Sequence, residues 1–354
     1  MSVFYTDLDD DTQFQIEYLA REQKISPGKL LKTLLKDYSE QQGIRVPERE
    51  VDECDDPAIE KMKINTVAII GPGTMGRSLS KLFAMKGYQV ILIGLSQADL
   101  DDAISRLDCN LASMIDKWEL TPSEKKVILQ AIRTSTDQTQ VTQAQLVIET
   151  ITENLSAKRT LIHQIDQLLP PHVIVASNTS SLRLTDLSGE MGCPQRLIGM
   201  HFLYPPTKRM VVELVRSAFT SQSVYRKAED VVRSLGKTAV EVYESPGFVT
   251  TRVSLPFINE AIHALVEGVA TAEGIDTAIR MGYNIALGPL ELADTIGLDV
   301  VLQQMDHLFK DTGDPKFRAD SLLRRMVHQG LLGKKVGRGF FTYEEPVRQG
   351  EEQA

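Results

Sequence analysis

His201 and Glu213 are the residues of this chain whose types and setting most invite proton chemistry. His201 belongs to the apolar run "RLIGMHF", and Glu213 sits inside another, "MVVELV". A carboxylate within an apolar strand is expected to be buried and to need a partner. Paired with the imidazole, it would fix the ring tautomer and make the ring a stronger base. A core histidine held by a structural acid fits the same spacing, so both readings stay open on these residues alone. A second constellation lies upstream. Gly71, Gly73 and Gly76 form G-x-G-x-x-G within "VAIIGPGTMG", with Thr74 and Met75 between the last two glycines. The first glycine permits a tight turn, the second lets backbone approach a pyrophosphate, and the third permits close helix–strand packing. Such a loop between a strand and a helix points to a dinucleotide; a turn whose glycines serve packing alone is the alternative.

The stretch "VILIGLS", Val90 to Ser96, raises the question of which dinucleotide. In this kind of fold the second strand ordinarily ends in an acid that holds the adenosine ribose hydroxyls. Here the position is Gly94. Losing the acid removes two hydrogen bonds to the ribose of NAD and also the charge that would repel a 2′-phosphate. NADP use would then fall to Ser96 and Gln97 as neutral partners, although "GLSQADLDDA" contains no Arg or Lys. A phosphate site usually includes a cation, so NAD remains the expected cofactor, with NADP as the alternative.

The elements that must position these residues can be read from periodicity. From Lys63 to Glu244, apolar runs ("TVAIIG", "QVILIG", "LVIETI", "VIVASN", "RLIGMHF", "MVVELV", "AVEVY") alternate with helical stretches. Near-continuous apolar strands separated by helices predict a largely parallel sheet buried on both faces. After "ESPGF" the texture is helical, as in "INEAIHALVEGVA", "PLELADTIGLDVVLQQMDHLF" and "SLLRRMVHQG". The reading is a doubly wound α/β domain of Rossmann type over residues 63–244, then an all-helical domain over 245–354.

Residues 1–62 read as an acidic helical extension and linker. They hold 15 Asp or Glu against 8 Lys or Arg, a net of −7 within the chain's −9, which leaves −2 for the rest. Ser26-Pro27 supplies an N-cap and a first-turn proline, and the loop "GIRVPEREVDECDDP" reads as a linker. The strand–helix–helix order is faintly similar to ribbon-helix-helix DNA-binding modules, but the acid run opposes a phosphate backbone; a docking or dimerisation pair of helices is the simpler reading. No nucleic acid partner is expected.

Composition is that of a globular protein, with 42% hydrophobic and 25% charged residues over 354 positions. There is no apolar run long enough to span a membrane and no secretory leader pattern, so a cytoplasmic, membrane-free protein is expected. Cys54, Cys109 and Cys193 show neither a disulfide framework nor metal-ligand spacing. His163, His172, His263, His307 and His328 have no companion at ligand spacing, and no metal is assigned. Met191, Met200, Met210 and Met281 are expected in the core. Trp118 reads as a partly buried anchor at a helix end, or as a contact for adenine.

Beyond these motifs, "ENLSAKRTL", "ASNTSSL", "IGMHF", "ESPGF", "GPLELADTIGLD" and "GKKVGRGFFTY" occur in order between Asn65 and Tyr343. In this the chain resembles the 3-hydroxyacyl-CoA dehydrogenases of the 3-hydroxybutyryl-CoA type. The resemblance implies that His201 is the base, Glu213 its orienting partner, and Ser180 the hydroxyl that bonds the substrate oxygen. It places Glu153, Lys158, Ser180 and Lys335 beside the nicotinamide cofactor. Lys117 falls on a lysine that meets the CoA nucleotide, in a helix–loop similar to K-G-K-L-T, and Asn110 stands where a serine would assist it. The implied reaction is hydride transfer between a 3-hydroxyacyl thioester and the cofactor, carried out by a homodimer, with the site between the domains. Besides Gly94, two departures touch substrate positions: Tyr204 and Thr251 each replace an asparagine. They imply a reshaped acyl pocket. The same chemistry on a carrier-protein thioester, and a catalytically silent nucleotide-binding regulator, are the alternatives.

Overall fold

The computed structural model describes residues 57–189 and 191–343, together with residues 15–16, 18–20, 22, 30 and 33–34. The strand–helix–helix reading of the N-terminal segment and its Ser26-Pro27 helix start lie outside the described residues. Among those described there, Ile16, Ala20 and Leu30 are buried in one cluster with Ala218. The chain divides into two compact units, one of residues 1–104, 123–179 and 183–244, the other of 105–122, 180–182 and 245–354.

The first unit is built on an eight-stranded sheet: β1 (Thr66–Ile70), β2 (Gln89–Ile93), β3 (Ile132–Ser135), β4 (Leu146–Glu149), β5 (Ile174–Ser177), β6 (Leu197–Phe202), β7 (Val211–Arg216) and β8 (Thr238–Tyr243). Spatial order is β3-β2-β1-β4-β5-β6-β7-β8. Strands β1 to β6 run parallel, β7 turns antiparallel to β6, and β8 is parallel to β7. Strand order reverses between β1 and β4, the crevice where doubly wound sheets take their ligands. The helices are α1 (Pro57–Lys61), α2 (Thr74–Met85), α3 (Gln97–Asp116), α4 (Pro122–Gln130), α5 (Leu155–Leu168), α6 (Leu184–Ser188) and α7 (Gln222–Ser234), with α3 ending in the second unit. Every residue of β4, β5 and β6 is buried, as runs covered on both faces require.

The second unit adds α8 (Thr250–Val266), α9 (Ala272–Tyr283), α10 (Pro289–Ile296), α11 (Leu298–Thr312) and α12 (Ser321–His328). Leu255, Ile258 and Ile262 of α8 pack with Leu290, Val301, Met305 and Leu323 from the later helices. Asp276 of α9 accepts hydrogen bonds from the amides of Leu290 and Glu291 (2.9 and 2.8 Å) and so caps the start of α10. Asp294 accepts from the amides of Phe340 and Phe341 and from the Tyr343 hydroxyl, which pins the "GRGFFTY" turn.

Four sequence expectations differ from this structure. Strand β3 was not expected, because only Ile132 of its four residues is buried and no apolar pattern marks it. The run "PLELADTIGLDVVLQQMDHLF" is two helices, broken where Gly297 takes a φ of +101°. Met200 is fully buried, but Met210 and Met281 are 62% and 77% exposed and belong to no core. Trp118 is not partly buried; it is 95% exposed.

Candidate active site

His201 and Glu213 face each other across the antiparallel pair β6–β7 as direct register partners. The His201 Nδ1–H donates to Glu213 Oε2 at 2.6 Å, and both residues are buried. With Nδ1 protonated and tied to the carboxylate, the tautomer leaves Nε2 as the basic nitrogen. Asn178, just after β5, braces the neighbouring backbone by accepting from the Phe202 amide at 2.9 Å. The pair therefore rests on two adjacent strands, with Asn178 bracing β6 from the end of β5.

The glycine loop follows β1 as expected. Gly71 has a φ of +109°, and a Cβ there would lie 3.0 Å from the Thr150 carbonyl. A Cβ at Gly76 would fall 1.8 Å from the Gly71 oxygen, so only glycine allows α2 to pack this close. Thr150 Oγ1 donates to the Ile70 and Gly71 carbonyls (2.9 and 3.0 Å) and clasps the loop to β4. At Gly73, by contrast, an added Cβ meets nothing within 4 Å. Gly73 is also the N-cap of α2 and makes no side-chain cap bond, so the first-turn amides around Thr74 and Met75 receive no cap from it. An open cradle before a helix N-terminus suits a pyrophosphate, and the residues present fit a dinucleotide.

At the ribose end, the Gly94 amide bonds the Ser135 carbonyl at 3.1 Å. A Cβ on Gly94 would lie 2.9 Å from Leu100 Cδ2 and 3.1 Å from Pro72 Cγ, so the space of the missing acid is already filled. Ser96 donates to Asp99 Oδ2 at 2.7 Å and accepts from the Asp99 amide, which makes it a cap of α3. Gln97 donates to Asp101 Oδ1 at 2.8 Å. Both neutral candidates for a 2′-phosphate are thus held by aspartates. Arg77 donates to the Pro72 carbonyl at 3.1 Å.

Lys158 is buried among acids. Its Nζ donates to both Glu149 oxygens (2.7 and 2.9 Å) and lies 3.2 Å from Glu153 Oε2. Glu149 also accepts from Ser177 Oγ at 2.6 Å and from the Ile151 amide at 2.7 Å. Burial raises its carboxyl above the ordinary value, while Lys158 and these donors pull the other way. Thr179 Oγ1 donates to Glu153 Oε1 at 2.5 Å. The structure thus pairs Lys158 with Glu153 and, more closely, with Glu149, which sequence reasoning passed over. Its signal was the one that marked Glu213: an acid inside an apolar strand, "LVIETI".

The second unit holds the remaining candidates. Ser180 Oγ accepts from Gln304 Nε2 of α11 at 3.4 Å, a partner that no sequence motif indicated. Lys335 Nζ is bound by both oxygens of Asp299 (2.5 and 2.6 Å) in the first turn of α11. Thr251 is buried in the first turn of α8. Asn110 and Lys117 lie seven residues apart along α3 and its C-terminal end, on one helical face. Tyr204, in the first unit, is 41% exposed. Among the described residues no cluster of His, Cys, Asp or Glu could hold a metal ion, and no helix is long and apolar enough to cross a membrane.

Comparison with known proteins decides the kinship. The family model described as 3-hydroxyacyl-CoA dehydrogenase, NAD binding domain, matches residues 66–245, and that of the C-terminal domain of the same family matches residues 247–343. The chain belongs to the 3-hydroxyacyl-CoA dehydrogenase family. Among relatives within it, a probable 3-hydroxybutyryl-CoA dehydrogenase of Bacillus subtilis is 41% identical over 284 residues, which is 80% of this chain and 99% of that protein. The 3-hydroxybutyryl-CoA dehydrogenase of Clostridioides difficile is 37% identical over 279 residues, 79% of this chain and 99% of that protein. The crystal structure of the (S)-3-hydroxybutyryl-CoA dehydrogenase of Ralstonia eutropha superposes with a TM-score of 0.74 at 39% identity. That match covers 80% of this chain and all of the other.

Proposed function

We propose that this protein interconverts a 3-hydroxyacyl-CoA and the corresponding 3-oxoacyl-CoA, using NAD. The buried His201–Glu213 pair, bonded at 2.6 Å across two adjacent strands, carries the reading. Residues of the Gly71–Gly76 loop and the α2 N-terminus would hold the dinucleotide pyrophosphate. A bound dinucleotide would supply the hydride acceptor for C3 in oxidation and the donor in reduction. His201 Nε2 takes the proton of the C3 hydroxyl in the first direction and donates it back in the second. Glu213 fixes the tautomer and stabilises the imidazolium that forms between these events. Ser180, whose Oγ accepts from Gln304, would bond the substrate oxygen in this reading.

The preference for NAD is supported by Asp99 and Asp101, which occupy Ser96 and Gln97, the two neutral candidates for a 2′-phosphate, with carboxylates. Glu153 and Lys335 complete the cofactor's surroundings in this reading, while Tyr204 and Thr251 shape the acyl pocket. Residues 1–62 form an appendage to the 63–244 and 245–354 domains. The protein acts as a homodimer joined through the second unit, whose α8 and α9 expose Val253, Met281 and Tyr283. Reduced-nicotinamide absorbance with acetoacetyl-CoA tests the proposal. Faster oxidation of NADH than of NADPH is expected. Preference for NADPH would overturn the cofactor assignment, and no turnover with either would overturn the activity.

A further inference from the structure

Glu149 closes a circuit of hydrogen bonds at the crevice where strand order reverses. It is fully buried and ends β4, in register with Ile70, the residue before the glycine loop. Lys158 Nζ of α5 donates to both its oxygens, and Ser177 Oγ, at the end of β5, donates to Oε2. Ser177 Oγ in turn accepts from the Thr179 amide at 3.3 Å. Thr179 Oγ1 donates to Glu153 Oε1, and Glu153 Oε2 lies beside Lys158 Nζ, which returns the circuit to Glu149. Two bonds from Lys158, one from Ser177 and one from the Ile151 amide converge on the Glu149 oxygens. That set of donors favours the ionised carboxylate against the cost of burial.

Two carboxylates and one ammonium give the circuit a net charge of −1 (two negative, one positive). Salt screens it little at Glu149 and Lys158, which are both buried. The carboxyl ends of the strands at this reversal are where the dinucleotide belongs in the function proposed above, on which this inference rests. The two redox forms of that dinucleotide differ by one positive charge on the nicotinamide ring, present in NAD⁺ and absent in NADH. A fixed negative charge in the cleft favours the cationic form. The circuit also steadies the turn after β5. The Asn178 amide donates to the Glu149 carbonyl at 2.9 Å, and Asn178 braces Phe202 beside His201. We propose that Glu149 is a positioning residue that holds Lys158 in place and, through its charge, biases the site toward NAD⁺ over NADH.

Dissociation constants of NAD⁺ and NADH, measured by calorimetry without substrate, test the assignment. Glu149→Gln keeps the shape and takes the sum of charges from −1 to 0. The preference for NAD⁺ over NADH should then fall about tenfold, the order a unit charge exerts across roughly 10 Å of protein. Combining Glu149→Gln with Lys158→Met returns the sum to −1, carried by Glu153. That double variant should bring the ratio back to within about threefold of wild type. A residue that only packs would not be rescued by a second loss. Should Glu149→Gln fail to fold, Lys158→Met compared with the double variant removes the same charge and should show the same fall. Equal weakening of both dinucleotides, or a double variant no better than the single, would overturn the proposal and leave the dehydrogenase reading intact. Wild type that bound neither dinucleotide would overturn the cofactor reading and this one with it.

Discussion

Placing an aspartate at Gly94 would not simply restore the usual ribose contact. Two hydrogen bonds from ribose hydroxyls to a carboxylate are worth about 1.5–3 kcal/mol each. The new Cβ would sit 2.9 Å from Leu100 Cδ2 and 3.1 Å from Pro72 Cγ. Carbon pairs prefer about 3.5–4.0 Å, so both approaches are too close. Leu100 is fully buried and cannot swing aside into solvent. Overpacking of this kind costs about 1–3 kcal/mol, and it also pushes on Pro72, inside the loop that receives the pyrophosphate. Gly94→Asp should therefore destabilise the fold by about 1–3 kcal/mol in urea titration and, by displacing Pro72, tighten NAD less by calorimetry than its two new bonds alone would. Gly94→Ala isolates the steric part and should show the same loss of stability. Combining Gly94→Asp with Pro72→Ala, which removes one of the two clashes, should tighten NAD at least tenfold over the single variant. A single Gly94→Asp that bound NAD a hundredfold tighter at no cost in stability would refute the reasoning, since the room would then have been there all along.

Other perturbations follow from the same geometry. Lys158→Met strands Glu149 without its cation and should cost about 3–5 kcal/mol near neutral pH. A carboxyl already raised by burial favours folding when protonated, so the variant's stability should fall as pH rises from about 4 to 8; adding Glu149→Gln should flatten that slope in urea melts. Glu213→Gln keeps the packing but removes the charge facing the imidazolium, and should lower kcat by about a hundredfold, or ~2.7 kcal/mol, with little change in NAD affinity. Trp118→Gly should raise stability by about 1 kcal/mol by relieving the left-handed backbone, readable as a higher melting temperature.

What the sequence made legible divides along physical lines. The glycine loop could be read because each glycine answers a local steric demand, and the structure shows those demands at Gly71 and Gly76. The apolar strands could be read because burial on both faces leaves an unbroken run, whereas β3, an edge strand of four residues, leaves none. Glu213 stood out as an acid in an apolar strand, and Glu149 carried the same mark but had no histidine beside it to draw attention. Its partners Lys158 and Ser177 lie 9 and 28 residues away, a juxtaposition made only by the sheet. Met210, Met281 and Trp118 were misjudged because residue type predicts burial only on average. The space at Gly94 is invisible to a motif, since Pro72 and Leu100 come together there only in the fold.

Single-turnover reduction of acetoacetyl-CoA by NADH, in wild type and His201→Gln, tests the central claim most directly. If Nε2 of His201 moves the proton, the variant should bind NADH with unchanged affinity and transfer hydride about 10²- to 10⁴-fold more slowly. A rate within about tenfold of wild type would contradict the account and return the His201–Glu213 pair to a purely structural role.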